Sequence, residues 1–485
     1  MHRRRTAALR KLRVRPLASA LLLWYPALAS AEPAASGADR AAPVPAATAH
    51  ADALARVLSG AAPQGNTFVV QSCNDAGNGS LRSAVAAAQS GDTIDLTQLA
   101  CARITLTTGQ IAIGVDSLTL NGPGADQLSI DGGAASNHVN RVINHTGTGT
   151  LSINGLTVTN AKYRSSTMPV GGCIHSLGTV ALSYSVVSNC VLQTLADGKR
   201  ASGAGIASST GVILVRSKIS GNHAMSSSGN GGAIGGGIYT FGNLTIKYST
   251  ISDNSVTSGV QLEGGAVSFA EGNFYALAST ISGNSSGSLY GGLYIFDYEG
   301  THTARIVNST ISGNYSYSGV AGVFSNATTT IANSTIAFNT SSVGTHYAGM
   351  RFASSHGTTL TLQSTIIANN SSGGSDRDAE AYPASVAGAG NLIVQGFGPF
   401  PADTLTSCPL IGPLGNQGGE TQTHRLLLGS PAVDAGNNLA ASLSFDQRGS
   451  GFPRTHGART DIGAFEDQGV RPNVIFIAGF EGRCR

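Results

Sequence analysis

The chain has 485 residues, of which 11% are charged and 64 are glycine, with 41% hydrophobic residues and a formal net charge of +3 at pH 7. A helical or α/β globular protein of this length carries about a quarter charged residues and far less glycine, so the composition favours strands joined by glycine corners and a surface solvated by Ser, Thr and Asn. The apolar content argues against disorder throughout.

In chain order, Arg3, Arg4, Arg5, Arg10, Lys11, Arg13 and Arg15 precede the apolar run Leu17 to Trp24, and Ala29-Ser30-Ala31 follows. This is the pattern of a cleaved export signal over residues 1–31, and the run is too short to span a bilayer. Its loss removes those seven basic residues and leaves 22 Lys+Arg against 26 Asp+Glu. The mature chain is then mildly acidic, without the clustered basic face that nucleic acid requires. Residues 32–65, rich in Ala and Pro, read as a spacer.

Order is expected to start at Thr67-Phe68-Val69-Val70. Leu81, Val85 and Ala88 then fall at helical spacing and predict a short capping helix, followed by the strand Thr93 to Leu96. The strands Arg103 to Leu106, Ile111 to Ile113, Leu118 to Leu120, Leu128 to Ile130, Leu151 to Ile153 and Leu156 to Val158 come next.

The strongest signal is a repeat. Ser217-Lys218-Ile219-Ser220-Gly221-Asn222 recurs from Ser249, Ser279 and Ser309, with degenerate copies from Ser185, Ser334 and Ser364, at intervals of 25 to 32 residues. A glycine-rich segment precedes each copy. Three short alternating runs per unit, as in Gly237-Ile238-Tyr239, Leu244-Thr245-Ile246 and Thr250-Ile251-Ser252, predict three strands and three corners per coil. The fold class is therefore all-β, a parallel β-helix of about 30-residue coils over residues 66–370, stacked roughly 4.8 Å apart with one Ile or Leu per strand pointing inward. Asn222, Asn254, Asn284, Asn314, Asn339 and Asn369 end the copies and are expected to form a corner ladder. Several also stand in Asn-x-Ser/Thr sequons, which the repeat itself generates. Residues 371–466 read as degenerate coils and a C-terminal cap region, and 467–485 as a tail.

Six cysteines in an exported chain point to disulfides. Cys73 with Cys101, and Cys173 with Cys190, are close enough in sequence to pair, while Cys408 and Cys484 are left over.

Several motifs resemble a known family. Ser80-Leu81-Arg82 with Gly91-Asp92-Thr93-Ile94, Asn121 to Ala125, the Gly-Gly-x-Ile and Ser-Thr-Ile-Ser-Gly-Asn coils, Leu410 to Leu414, Gly429 to Gly436, Asp446-Gln447-Arg448-Gly449 and Asp461 to Glu466 are together similar to bacterial choice-of-anchor Q surface proteins. The resemblance covers roughly residues 66–466 and implies a right-handed, pectin-lyase-like β-helix with no general assigned activity. Gly231-Gly232-Ala233-Ile234 is partly similar to polymorphic outer-membrane protein repeats, with Ile in place of their Phe. Ile475 to Glu481 resembles short tails on secreted proteins of some gamma-proteobacteria, which implies a sorting role.

The fold hosts polysaccharide lyases and hydrolases, so chemistry has to be tested at the residues. Within the clear coils Asp253 reads as a turn residue, and Glu263, Glu271, Asp297 and Glu299 as solvated loop carboxylates. Asp376, Asp378 and Glu380 form the densest acidic group but lack a calcium-loop pattern. No catalytic residue, metal or cofactor is assigned. In Leu293-Tyr294-Ile295-Phe296-Asp297-Tyr298 aliphatic and aromatic side chains alternate. If Leu293 and Ile295 point inward, Tyr294, Phe296 and Tyr298 form an exposed stripe suited to stacking on sugars; the opposite register buries them. The expectation is a secreted or cell-surface, monomeric, non-catalytic protein with a polysaccharide or cell-surface partner. A polysaccharide lyase or glycoside hydrolase is the alternative, and an autotransporter passenger a third.

Overall fold

A computed structural model describes residues 65–133, 140–258, 264–344, 346–382, 385–437 and 443–469. The expected export signal, most of the spacer, the tail from residue 470, Glu263 and Cys484 lie outside the described residues.

The repeat folds as one column of stacked parallel coils. A representative coil runs Ile238–Phe241, Asn243–Lys247, Thr250–Ser252 and Ser255–Thr257. Stacking of equivalents builds a first sheet of 11 strands, a second of 12, a third of 11 and a fourth of eight, to which Ser375–Asp376 adds one antiparallel strand. The pairing between coils is parallel and in register: Ile219, Ile251, Ile281, Ile311, Ile336 and Ile367 lie one above the next. Each is at most 2% exposed. Burying one such side chain contributes roughly 1.5–3 kcal/mol, so the thin core is stabilised once per strand per coil. The expected three strands per coil hold in the coils before Lys162, and from Lys162–Ser165 onward a fourth is added. The extra one follows the Asn corner, and strands of it as short as Ser285–Ser286 are too brief to show alternation in the sequence.

Two corners recur with the same backbone. Between the third and fourth sheets, Asn189, Gly221, Asp253, Gly283, Gly313, Phe338 and Asn369 all have φ between 56° and 66°. This left-handed conformation is what the Gly of the repeat supplies at no steric cost, and Asp253 is indeed a turn residue. The next residue points inward. Asn222, Asn254, Asn284, Asn314 and Asn339 are at most 1% exposed, and each donates from its Nδ2 to the next Oδ1 at 2.9–3.0 Å.

The ladder corrects one assignment. It continues to Asn370 and not to Asn369, because Ile336 pairs with Ile367. Ser364 holds the left-handed corner before the third strand (φ 46°), Thr365 the usual Ser place and Asn369 the usual Gly place. Asn370 then donates from N and Nδ2 to Asp378 Oδ1 at 2.8 and 2.9 Å. Burial pushes that carboxyl up to about 6, against the hydrogen bonds from Asn370 and Gln395.

Between the second and third sheets the left-handed residue is Gly155, Tyr184, Arg216, Tyr248, Ala278, Asn308, Asn333 and Ser364 in successive coils. At Ala278 (φ 49°) a Cβ is strained with no compensating hydrogen bond from the side chain. Ala278→Gly is expected to stabilise the column by about 1 kcal/mol, read as a rise in denaturant midpoint at unchanged slope. No rise would mean the corner is relaxed.

The ends differ. At the first coil the helix Leu81–Ala87, N-capped by Ser80, buries Leu81 and Val85 against the core. Asp75 ties it down, accepting from Arg82 at 2.6 Å and from the Thr107 and Thr108 backbone. The pairs Cys73–Cys101 and Cys173–Cys190 are bridged. At the other end, coils continue to Gly396–Phe397, and Phe400 packs against the core.

Residues 408–437 and 443–466 then leave the column axis and lie along the outside of the third sheet. The hairpin Ile411–Gly415 and Thr423–Leu426 leads this cover. Thr310 Oγ1 meets Thr423 Oγ1 at 2.9 Å and Gln447 Oε1 at 2.6 Å, Gln447 Nε2 reaches Thr280 at 3.0 Å, and the Ala464 N–H donates to Thr335. His424 is buried against Ser312 and Gly412, and burial lowers its imidazole to about 4. The C-terminal motifs hold the cover together. Arg448 pairs with Asp446 at 2.7 Å between the rings of Phe452 and Phe465, and the fully buried Arg454 pairs with Glu466 at 3.2 Å.

Candidate functional site

Alternation in the first sheet sends Leu293 and Ile295 into the core, where they are 1% and 0% exposed. Tyr294 and Phe296 therefore face outward, but outward is not the same as exposed. Tyr294 is 5% exposed, packed among Tyr290 at 4.5 Å between centroids, Phe324 at 5.4 Å and Phe296 at 5.8 Å. Phe324 arrives from the next coil, paired directly with Tyr294, and Tyr290 from the preceding loop. The expected stripe is thus corrected. Tyr294 is the buried base of an aromatic cluster, Phe296 its half-buried edge, and Tyr298 stands 69% exposed in the following loop.

Register carries the row further than the notation of one strand suggests. Tyr294 pairs with Phe324, Phe324 with Arg351, Arg351 with Glu380 and Glu380 with Phe397. Successive coils set these outward residues at the strand spacing of about 4.8 Å. The face thus passes from aromatic to charged and back to aromatic.

At the charged step four side chains converge. Arg351 Nε is 3.2 Å from Glu380 Oε2, Arg351 Nη1 is 3.2 Å from His346 Nδ1, and His346 is 3.8 Å from the carboxylate. The Tyr382 hydroxyl donates to Glu380 Oε1. Burial acts to raise the Glu380 carboxyl, but His346, Tyr382 and the Arg351 charge outweigh it and hold it below the usual range. The same hydrogen bond, helped by burial, raises the Tyr382 phenol. Beside the cluster Tyr382 and Phe397 are 50% and 55% exposed, with ring centroids 5.9 Å apart, and the Arg377 guanidinium lies over Tyr347.

The acidic group around residue 378 is dispersed. Asp378 ends the Asn ladder, Glu380 faces the outer row, and Asp376 lies in an antiparallel turn against Ser371. Three carboxylates in three environments do not converge on one ion. Asp297 is likewise structural: it accepts the N–H groups of Gly300 and His302 at 3.0 and 2.8 Å and pairs with His302 Nδ1 at 3.1 Å, which closes its loop. Arg351, Tyr382 and Phe397 are not singled out by the sequence alone, and His346 reads there only as one of several scattered histidines without metal spacing. The usable signal was Met350-Arg351-Phe352 above Ala379-Glu380-Ala381, a charge between two apolar residues in each of two stacked strands.

No family model matches the chain, and no curated protein matches it. Among solved structures the chain is similar to the pectate lyase Pel9A, with 14% identity over 84% of this chain and 98% of that one and a TM-score of 0.43. The parallel β-helix rests on the registers above, and that likeness assigns no residue a role.

Proposed function

We propose that this chain is an exported, surface-associated β-helix of the choice-of-anchor Q kind that binds polysaccharide without cleaving it, along the outer face of the first sheet. The observation that supports this most is the row running from the aromatic cluster at Tyr294 through Arg351 and Glu380 to Tyr382 and Phe397. Exposed rings stack on the apolar faces of sugars, and planar guanidinium groups bond ring hydroxyls or carboxylates.

The convergence of His346, Arg351, Glu380 and Tyr382 favours a second reading, a lyase or hydrolase. Their protonation argues against it. A carboxyl held low has no proton to give near neutral pH, and a phenol held high is a poor base. A sugar-cleaving carboxylate pair also places both members about one sugar apart, one of them protonated.

The test uses the chain from residue 32 with a panel of labelled polysaccharides, with and without Ca²⁺. Binding weakened up to about tenfold by Phe397→Ala or Tyr382→Ala, with no unsaturated or reducing ends released, is the expected result. Release of such ends establishes the enzyme reading instead, and binding indifferent to both substitutions removes this face as the site. Fractionation of expressing cells tests export.

A further inference from the structure

A second surface is built where the cover ends. Two adjoining hollows of about 680 and 760 Å³ lie along the third sheet and share Lys218, Thr250 and Glu420, so they form one trough. Its floor is the outward side of the repeat, Thr250, Ser252, Ser282 and Ser312, whose Ile neighbours point inward. Pro413 and Leu414 of the cover hairpin wall one part. Tyr184, Arg216 and Tyr248 line the other.

Those three residues are the informative ones. They occupy the left-handed corner between the second and third sheets with φ of 49°, 47° and 51°. Where that corner lies elsewhere the chain uses Gly155, Ala278, Asn308, Asn333 and Ser364, all small or tolerant of this conformation. A bulky residue there costs on the order of 1 kcal/mol, and three consecutive coils carry one, at the trough alone. They are also organised outward. Arg216 lies between the rings of Tyr184 and Tyr248, 5.7 and 5.0 Å from their centroids, and is fixed by Glu420 of the cover at 2.8 Å. Tyr184 remains 60% exposed.

We infer that this trough is a second binding site, for a segment of neutral polysaccharide, with Tyr184 and Tyr248 as stacking platforms and Lys218 and Thr250 bonding sugar hydroxyls. The neutral class follows from the charges: Arg216 and Lys218 are set against Asp126, Asp253 and Glu420 in the lining, so no net field favours a polyanion. Volume and polarity suit several sugar rings.

Tyr184→Gly and Tyr248→Gly test it cleanly, because glycine removes the corner strain as well as the ring. Tyr184→Asn, which tolerates the same φ, is the second replacement. Affinity electrophoresis of the chain from residue 32 through gels containing dextran, galactomannan or hydroxyethyl cellulose, with polygalacturonate and alginate as acidic comparators, gives the readout. The expected result is retardation by at least one neutral polymer, weakened about tenfold or more by each of the three substitutions at unlowered melting temperature, and unaffected by Phe397→Ala. No retardation by any of the neutral polymers, retardation by the acidic ones alone, or a Tyr184→Gly or Tyr184→Asn protein that runs like the parent would overturn the inference.

Discussion

Asn284→Ala is expected to lower the unfolding free energy by about 3–5 kcal/mol, among the largest losses available from a single polar side chain in this column. Asn284 Oδ1 accepts from the Asn254 backbone N–H at 3.0 Å and from Asn254 Nδ2 at 3.0 Å, while its own Nδ2 donates to Asn314 Oδ1 at 2.9 Å and Ile251 O at 3.0 Å. All of these groups are buried. Truncation therefore strands several dry donors and acceptors at once, each costing about 1–3 kcal/mol, with no route for water to replace the amide. Asn273→Ala makes the comparison, since Asn273 is exposed and its bonds to Thr303 can be replaced by solvent; less than about 1 kcal/mol is expected there. Chemical denaturation gives the totals, and hydrogen exchange at the Asn254 amide locates the damage. An Asn284→Ala protein within 1 kcal/mol of the parent would mean that the ladder is ornamental.

The second large effect belongs to the cover. Arg454 is fully buried, donates to Gly463 O at 3.0 Å and Asp461 O at 2.8 Å, and pairs with Glu466. Glu466 in turn accepts the N–H groups of His456 and Asp461 at 2.8 Å. Burial raises the Glu466 carboxyl to about 7, with Arg454 pulling it down. A carboxyl whose folded value is raised stabilises the fold fully below its unfolded value of about 4.3, and that contribution is lost as pH climbs through 7. Arg454→Met removes the downward pull. At pH 5 Glu466 is neutral in the parent and in the variant, so the variant loses packing and hydrogen bonds alone. At pH 8 the parent carboxylate is held by Arg454, whereas the variant must either keep its proton against the solution or bury an anion without its cation, for a total cost of about 3–5 kcal/mol. The gap in melting temperature between parent and variant should therefore widen from pH 5 to pH 8. A gap that is constant or narrows with pH shows that Glu466 and Arg454 are not coupled in this way.

What could be read from the chain follows from what repeats in it. The Ser-Thr-Ile-Ser-Gly-Asn copies state their own register, because a one-residue slip would turn every Ile outward. Gly in the left-handed corner and Asn after it were legible for the same reason. Where Ser364-Thr365 imitates the start of a copy one residue early, the ladder was misplaced onto Asn369, and only the pairing of Ile336 with Ile367 reveals the shift. Tyr294 shows a different limit: alternation decides which side of a strand a ring faces, while its cover came from Tyr290 and Phe324, residues of other segments. The cover was least legible. Its bonds to the column join residues 73 to 204 apart, such as Asn437 with Ser364 and Glu420 with Arg216, and no period in the sequence encodes them.

Those bonds bear on how the column comes apart. A stack in which each coil touches only its neighbours is a chain of weakly linked units that can fray from either end. Thr421, Gln422, Thr423, His424 and Ala464 fasten instead to Ala278, Thr280, Thr310, Ser312 and Thr335, rungs belonging to three successive turns of the winding. A brace bolted across several storeys makes the storeys fall together, so the C-terminal half should melt in a single step and resist proteolytic erosion, while the N-terminal coils beyond the brace unravel first.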